Sequence, residues 1–286
     1  MQSPLHIVFL GTSSFAVPCL KALVNDSKFK VELVITQPDR PAGRKQILTP
    51  PPVKTAAKEL GLKIEQPDQI NNCQLSIVNC QFIVVVSYGQ ILSEEILNRA
   101  EIAPINVHAS LLPKYRGASP IQQALLSGDT ETGVTVQRMV KELDSGPILA
   151  QRKIKIEDRE TFTSLHATLS EIGAELLIQT LSLPLKELMQ DESKALFCKK
   201  LTRKDGEVDP KTMTAEKIDR MVRALSPWPG VTLKDNKILK TSLISDKDAF
   251  ELECADGTKL YIKQIQPASG KQMSGKSFAA GRKLPI

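Results

Sequence analysis

Asn106 and His108 stand two residues apart where an apolar run turns polar, in Asn106-Val107-His108-Ala109-Ser110-Leu111-Leu112-Pro113. On a strand, side chains two apart leave by the same face, about 6.6 Å apart along the backbone. That spacing suits a small polar group held between an amide and an imidazole. The amide donates, and the ring donates from the nitrogen that carries its proton, or from both when charged. Alone, an Asn-x-His on a strand more often describes a satisfied buried polar pair. The chain has three histidines. His6 opens an apolar strand pattern and His166 falls within a helical one, so both read as structural.

The apolar patterning supplies the elements that must position this pair. Residues 5–10 read as a buried strand, Gly11-Thr12-Ser13-Ser14-Phe15 as a turn, and Leu20, Leu23 and Val24 as the face of a helix, the opening of a doubly wound α/β fold. Of the G-x-G-x-x-G fingerprint only Gly11 is present, which excludes a nicotinamide site. Residues 31–35, 62–65, 105–109, 134–139 and 148–156 read as further strands. Residues 53–60, 68–77 and 163–181 read as helices. Ser93 and Ser119-Pro120 start two more helices, the second closed by Gly128. Phe82-Ile83-Val84-Val85-Val86 is uninterruptedly apolar, as a central parallel strand covered on both faces must be. Ligands of open α/β sheets bind beyond the carboxyl ends of the strands. Ser87-Tyr88-Gly89-Gln90-Ile91-Leu92 should therefore line the same crevice as Asn106.

Residues 36–52 carry Pro38, Pro41, Pro50, Pro51 and Pro52 together with Arg40, Arg44 and Lys45. The prolines predict no regular structure through most of this stretch. A loop of about 17 residues inside a compact domain is uncommon and usually functional. Residues 199–210, with Gly206 and Pro210, read as a linker between a first domain, 1–198, and a second, 211–286. In the second, Ile218, Met221, Val222 and Leu225 mark an amphipathic helix stopped by Pro227 and Pro229. Short β-type runs follow, with turns at Asp235-Asn236, Asp256-Gly257 and Ser269-Gly270, and a small barrel is the expected architecture.

The net charge of +6 is uneven. Residues 1–198 hold 20 Lys and Arg against 21 Asp and Glu, whereas 199–286 hold 18 against 11. A basic module beside a neutral one points to a polyanion, nucleic acid before membrane, although a solvated lysine-rich surface would read the same way. The five cysteines form no C-x-x-C pair and, with the scattered histidines, offer no zinc spacing, so no metal is expected. No run approaches the roughly 20 apolar residues of a membrane span, so a cytoplasmic protein is expected.

Several blocks together carry a family resemblance. They are the Asn-x-His-x-Ser-Leu-Leu-Pro segment with Lys114-Tyr115-Arg116-Gly117-Ala118-Ser119-Pro120, Thr36-Gln37-Pro38-Asp39-Arg40-Pro41-Ala42-Gly43-Arg44, Gly128-Asp129-Thr130-Glu131-Thr132-Gly133, Leu143-Asp144-Ser145-Gly146 and Ser226-Pro227-Trp228-Pro229-Gly230. They resemble the folate-dependent formyltransferases, in particular the branch that acts on aminoacylated tRNA. The resemblance implies a Rossmann-like formyltransferase domain with a mostly parallel sheet, followed by a small C-terminal OB-like barrel that binds tRNA. It implies transfer of the formyl group of 10-formyltetrahydrofolate to the α-amino group of initiator methionyl-tRNA, by a monomer. Asn106, His108 and Asp144 would be catalytic. Ser110, Leu111, Leu112 and Pro113, with Tyr88, Gln90 and Ile91, would hold the folate, and Arg40, Arg44 and Lys45 the tRNA. One departure stands out: the family pattern has Gly-Lys-Lys after the arginine matching Arg44, where this chain has Lys45-Gln46-Ile47. Competing expectations are a formyltransferase for a small amine (an amino sugar or glycinamide ribonucleotide), a 10-formyltetrahydrofolate hydrolase, and a non-enzymatic RNA-binding module.

Overall fold

The computed structural model of the chain describes residues 3–43, 45–72, 80–268 and 270–281. The described residues group into two compact units. The first is drawn from Met1–Gly117, Thr132–Ile154 and His166–Phe197, the second from Ala118–Glu131, Lys155–Leu165 and Cys198–Ile286.

The first unit begins with β1 (Leu5–Gly11), α1 (Val17–Asn25), β2 (Phe29–Ile35), β3 (Arg40–Ala42), β4 (Ile47–Thr49), α2 (Pro52–Glu59) and β5 (Ile64–Glu65). β6 (Cys80–Val86), α3 (Glu94–Leu97), β7 (Ala100–His108) and β8 (Arg116–Gly117) follow. After α4 (Pro120–Ser127), which belongs to the second unit, come β9 (Glu131–Arg138), β10 (Ile148–Lys155), α5 (Phe162–Leu181) and β11 (Phe197–Cys198).

Seven strands form one sheet in the order β10-β9-β7-β6-β1-β2-β5. The run from β7 to β5 is parallel, and β9 joins β7 antiparallel, which makes the sheet mixed. β6 lies between β1 and β7, and Ile83, Val84 and Val86 in it are wholly buried, as an apolar strand with both faces covered requires. Val8, Leu10, Leu33, Ile35, Ile83 and Val85 pack on one face with Ile96 and Leu97 of α3. Their strand neighbours Ile7, Phe9, Val34 and Val84 are fully buried on the other. Register aligns the carboxyl ends: Gly11 pairs with Val86, and Val85 with Asn106. The crest where ligands of such sheets bind is thus where Asn106 and His108 emerge.

Two expectations need correction. Residues 36–52 are not structureless, since β3 and β4 pair antiparallel with Pro41 opposite Leu48. A two-stranded ribbon leaves each strand a free edge, so a proline can face outward without losing a ladder bond. Of the helix expected over 68–77, a single 3₁₀ turn, Ile70–Asn72, is present, and residues 73–77 lie outside the described residues. Cys73 also lies outside them, and the other cysteines, Cys19, Cys80, Cys198 and Cys254, are buried thiols outside any disulfide.

In the second unit α4 lies against α6 (Ala215–Leu225). Then come β12 (Val231–Leu233), β13 (Asn236–Ser242), β14 (Phe250–Glu253), β15 (Lys259–Gln266), β16 (Met273–Ser274) and α7 (Gly275–Gly281). The sheet runs β12-β13-β15-β14, antiparallel throughout, with β16 also on β15. Among the described residues its path is open, ending at β12 and β14, and no closed barrel is found. α6 packs on β13 and β15 through Ile218, Met221, Val222 and Leu225, the face its spacing predicts. Within 199–210, Thr202 and Asp205 cap a 3₁₀ turn reciprocally and Val208 N donates to Thr232 O at 3.0 Å, so this stretch is ordered.

Candidate active site

Cross-strand register gathers polar groups at the end of β7. Asn106 pairs with Gln137 of β9, and His108 with Thr135. Directly opposed residues share a face of the sheet, so four polar side chains stand together above an apolar layer. Gln137 and Thr135 are 1% and 0% exposed, and each is satisfied within the site.

Asn106 Nδ2 donates to Val85 O at 3.1 Å, and its Oδ1 accepts from Gln137 Nε2 at 3.2 Å. A carbonyl only accepts, so the partner at Val85 fixes which end of the amide is nitrogen. One Nδ2 hydrogen is thereby used and the second is free to donate. Gln137 Nε2 also reaches Asp144 Oδ1 at 3.1 Å, tying Asn106 to Asp144 through one amide group.

His108, 7% exposed, is fixed by the same reasoning. Its Nε2 lies 2.9 Å from Tyr115 O, another pure acceptor, so Nε2 carries a hydrogen. Nδ1 faces Asp144 Oδ2 at 3.6 Å, closer to ion-pair than to hydrogen-bond range, and it carries a proton only when the ring is charged. The two side chains are 8% and 12% exposed. Asp144 Oδ2 also accepts from Gly117 N at 2.8 Å.

The backbone here is shaped to match. Asp144 takes φ 51°, a left-handed conformation that aspartate tolerates better than most residues, and Gly117 takes φ 119°. Gly146 closes the turn where nothing larger fits, since a Cβ there would sit 1.9 Å from Arg138 O. The turn that follows β7 is pinned from within. Ser110 Oγ donates to Lys114 O at 2.5 Å, Leu112 N donates to Thr135 Oγ1 at 3.1 Å, and Gln151 Nε2 donates to Leu112 O at 2.8 Å.

A cavity of about 120 Å³ opens beside Asp144 and Gln137. Ile91, Leu92, Met139, Val140 and Leu143 give it apolar walls, and Gln90 and Glu142 add polar edges. A flat heterocycle with a hydrogen-bonding rim fits such a lining. Of the expected folate contacts, Gln90 and Ile91 line this cavity, whereas Tyr88 and Ser110, Leu111, Leu112 and Pro113 do not. Ser110 and Leu112 are buried at 1% and 3%, and their bonds shape the turn.

Arg40 is exposed on β3, where its Nη2 donates to Gln37 Oε1 at 3.2 Å, and Lys45 is exposed at the tip of the hairpin. Arg44 lies outside the described residues. Ile47 and Leu48 of β4 are 62% and 65% exposed, an apolar pair that sequence reading passed over. His6 is paired with Glu32 at 2.6 Å at the start of β1, and His166 is half-buried edge-on to Phe15, where partial burial holds its ring below the usual histidine range. Both are structural. No described group of three or more His, Cys, Asp and Glu residues is placed to hold a metal ion, and no described helix is long and apolar enough to cross a membrane.

Sequence reasoning singled out Asn106, His108 and Asp144, and the structure brings them together. It missed Gln137, which joins two of them, because a lone glutamine in Val134-Thr135-Val136-Gln137-Arg138 reads as a solvent-facing strand residue. The signal available was Thr135 and Gln137 at the same two-residue spacing as the Asn-x-His pair.

The chain also matches known proteins along most of its length. The formyl transferase family model matches residues 5–181, and that of the formyl transferase C-terminal domain matches 200–283. The chain is 40% identical over 309 residues to a methionyl-tRNA formyltransferase of Caldicellulosiruptor saccharolyticus, covering 98% of each protein. It is 39% identical over 304 residues to that of Listeria monocytogenes, covering 97% of this chain and 96% of the other. Among solved structures, a sugar 3N-formyl transferase, WlaRD, crystallised with dTDP and 5-N-formyl-THF, superposes with TM-score 0.68 at 19% identity, covering 95% of this chain and 100% of that one. An N-formyltransferase of Helicobacter canadensis, in complex with folinic acid and dTDP-3-aminofucose, gives 0.69 at 18%, covering 90% and 98%. At that identity the two structures speak for the fold alone. Two family models that between them take in both the Asn-x-His strand and the basic C-terminal part, with relatives alike from end to end, leave one assignment: the chain belongs to the formyl transferase family.

Proposed function

We propose that the chain transfers the formyl group of 10-formyltetrahydrofolate to the α-amino group of initiator methionyl-tRNA. The observation that carries this reading is the end-to-end likeness to methionyl-tRNA formyltransferases, at 40% identity over 98% of the chain, on a site built around Asn106, His108 and Asp144.

The formyl donor supplies the one-carbon unit, and the residues of this chain manage charge and protons around it. As the amine attacks, its nitrogen bonds to the formyl carbon and negative charge moves to the formyl oxygen. The unused Nδ2 hydrogen of Asn106 and an Nδ1 hydrogen of a charged His108 are the donors available to that oxygen. Asp144 Oδ2, 3.6 Å from Nδ1, orients that ring. A free α-amine titrates near about 7.7–8.0, so a proton must leave the incoming nitrogen. The Asp144 carboxylate, directly or through water, accepts it; as the intermediate collapses, the bond between the formyl carbon and the folate nitrogen breaks, the proton passes to that nitrogen, and tetrahydrofolate leaves. Gln90 and Ile91 line the folate cavity, with Tyr88, Ser110, Leu111, Leu112 and Pro113 as its supporting shell. Arg40, Arg44 and Lys45 contact the acceptor stem from the β3–β4 hairpin.

The protein acts as a cytoplasmic monomer in which residues 1–198 carry the transfer site, although Ala118–Glu131 and Lys155–Leu165 group with the second unit, and 199–210 lead into a tRNA-binding part at 211–286. The antiparallel strands of that part supply the open sheet on which an OB-like, tRNA-binding arrangement would be built. A small-amine formyltransferase has no evident use for a basic second module or for an exposed hairpin bearing Arg40 and Lys45. The test offers labelled 10-formyltetrahydrofolate to the protein with methionyl-tRNA, uncharged tRNA or an amino sugar. Label on methionyl-tRNA alone is expected. Label on the sugar, or release of formate with no acceptor, would replace this reading with one of the alternatives.

A further inference from the structure

Between the stretches matched by the two family models lie residues 182–199, and one of them reaches the site. Leu188 bridges Ile148 in antiparallel fashion, N to O at 2.9 and 2.8 Å, and Glu187 Oε1 accepts from Arg138 Nε at 2.6 Å. This short strap aims Gln190, 8% exposed, at the Asp144 turn. Gln190 Nε2 donates to Asp144 O at 2.9 Å and Gly146 O at 2.7 Å, and lies 3.4 Å from Gln137 Oε1. Its Oε1 accepts from Arg116 Nε at 3.0 Å and Nη2 at 2.8 Å. Arg116, 2% exposed, turns its other edge to Glu192, with Nη1 and Nη2 at 2.8 and 2.7 Å, and the guanidinium holds that carboxyl below its usual range.

We infer that Gln190, oriented by Arg116 and Glu192, is a positioning residue for Asp144 in the transfer reaction. The inference rests on the proposed function. Asp144 sits at φ 51°, and the carbonyls on either side of its turn need donors if that conformation is to persist. One amide serves both. Its orientation is forced, because a guanidinium can only donate and therefore meets Oε1, leaving Nε2 for the turn. The same nitrogen approaches Gln137, whose own amide spans Asn106 and Asp144. A connector outside both matched stretches thus sets the aim of the carboxylate that faces His108.

The test is a double-mutant cycle in full-length protein. A displacement of about 1 Å at a reacting group can cost on the order of a hundredfold, so Gln190→Leu should lower kcat by up to about that factor. KM for both substrates should stay within about threefold of wild type, because Gln190 touches neither. In an Asp144→Asn background the same substitution should cost less than about threefold, since its effect runs through the missing carboxylate. Gln190→Asn, which keeps the amide but withdraws it by one methylene, should reproduce the loss, and it carries the test if Gln190→Leu does not fold. An equal loss in both backgrounds, or wild-type kcat in Gln190→Asn, overturns the inference while leaving the proposed function standing. Failure of wild-type protein to formylate methionyl-tRNA would instead remove the function reading.

Discussion

The reacting geometry reduces to which hydrogen each side chain has left. Val85 O takes one of the two Nδ2 hydrogens of Asn106, Gln137 Nε2 donates to its Oδ1, and Tyr115 O takes the Nε2 hydrogen of His108. Removing one oxyanion donor typically costs about 10²–10³ in kcat, so Asn106→Ala should lose that much in steady-state assays with methionyl-tRNA. Unchanged kcat would move the donor role elsewhere. Asn106 and His108 were legible because alternation on a strand places them on one face whatever the fold. Asp144 was legible through the family's Asp-Ser-Gly turn. Gln137 and Gln190 were not, since a glutamine carries no mark of its role until its partners are known. Gln190 meets Asp144 across 46 positions of chain.

Turns position these residues as much as strands do. A methyl group on Gly146 would collide with Arg138 O, so Gly146→Ala must shift the turn that presents Asp144. The expected cost is about 1–3 kcal/mol in denaturant unfolding together with a fall in kcat. Retention of both would show the turn to be more yielding than its packing implies. The β3–β4 hairpin belongs at this scale too. It carries Arg40, Lys45 and the exposed Ile47 and Leu48. Arg44→Ala should raise KM for methionyl-tRNA several-fold while leaving KM for the folate alone, and equal kinetic constants would reduce the hairpin to a surface insertion. The central strand was plain from Phe82 to Val86, since only burial on both faces tolerates such a run. The hairpin was not, because its prolines argued against any ladder and the free edges of a two-stranded ribbon do not show in composition.

At the scale of the molecule, the polyanion reading of the uneven charge can be measured. Binding of methionyl-tRNA should weaken steeply as salt rises, and a flat salt dependence would remove the basic second module from recognition. Asp219, 1% exposed in that unit, accepts from Arg159 Nη1 at 2.6 Å, Arg223 Nε at 3.0 Å and Thr241 Oγ1 at 2.7 Å. Burial pushes its carboxyl up, but these hydrogen bonds outweigh it and hold the group below its usual range. A depressed carboxylate contributes stability above its unfolded pKa, near about 3.9, and loses it as pH falls through the lower folded value. Asp219→Ala should therefore destabilise the protein at neutral pH and flatten the acid limb of its unfolding curve. The cost should sit at the low end of roughly 3–5 kcal/mol, because Arg159 and Arg223 can turn toward water. Two modules and their charge could be read from the chain. The grouping of Ala118–Glu131 and Lys155–Leu165 with the second unit could not, because contacts between distant segments leave no local pattern. The most direct trial of the whole account is single-turnover formyl transfer to methionyl-tRNA by wild-type and His108→Ala protein, with tRNA binding measured alongside. Formyl-methionyl-tRNA from the wild type, almost none from the variant, and equal binding by both is the expected result. Comparable product from the two proteins, or loss of binding equal to the loss of product, would contradict it.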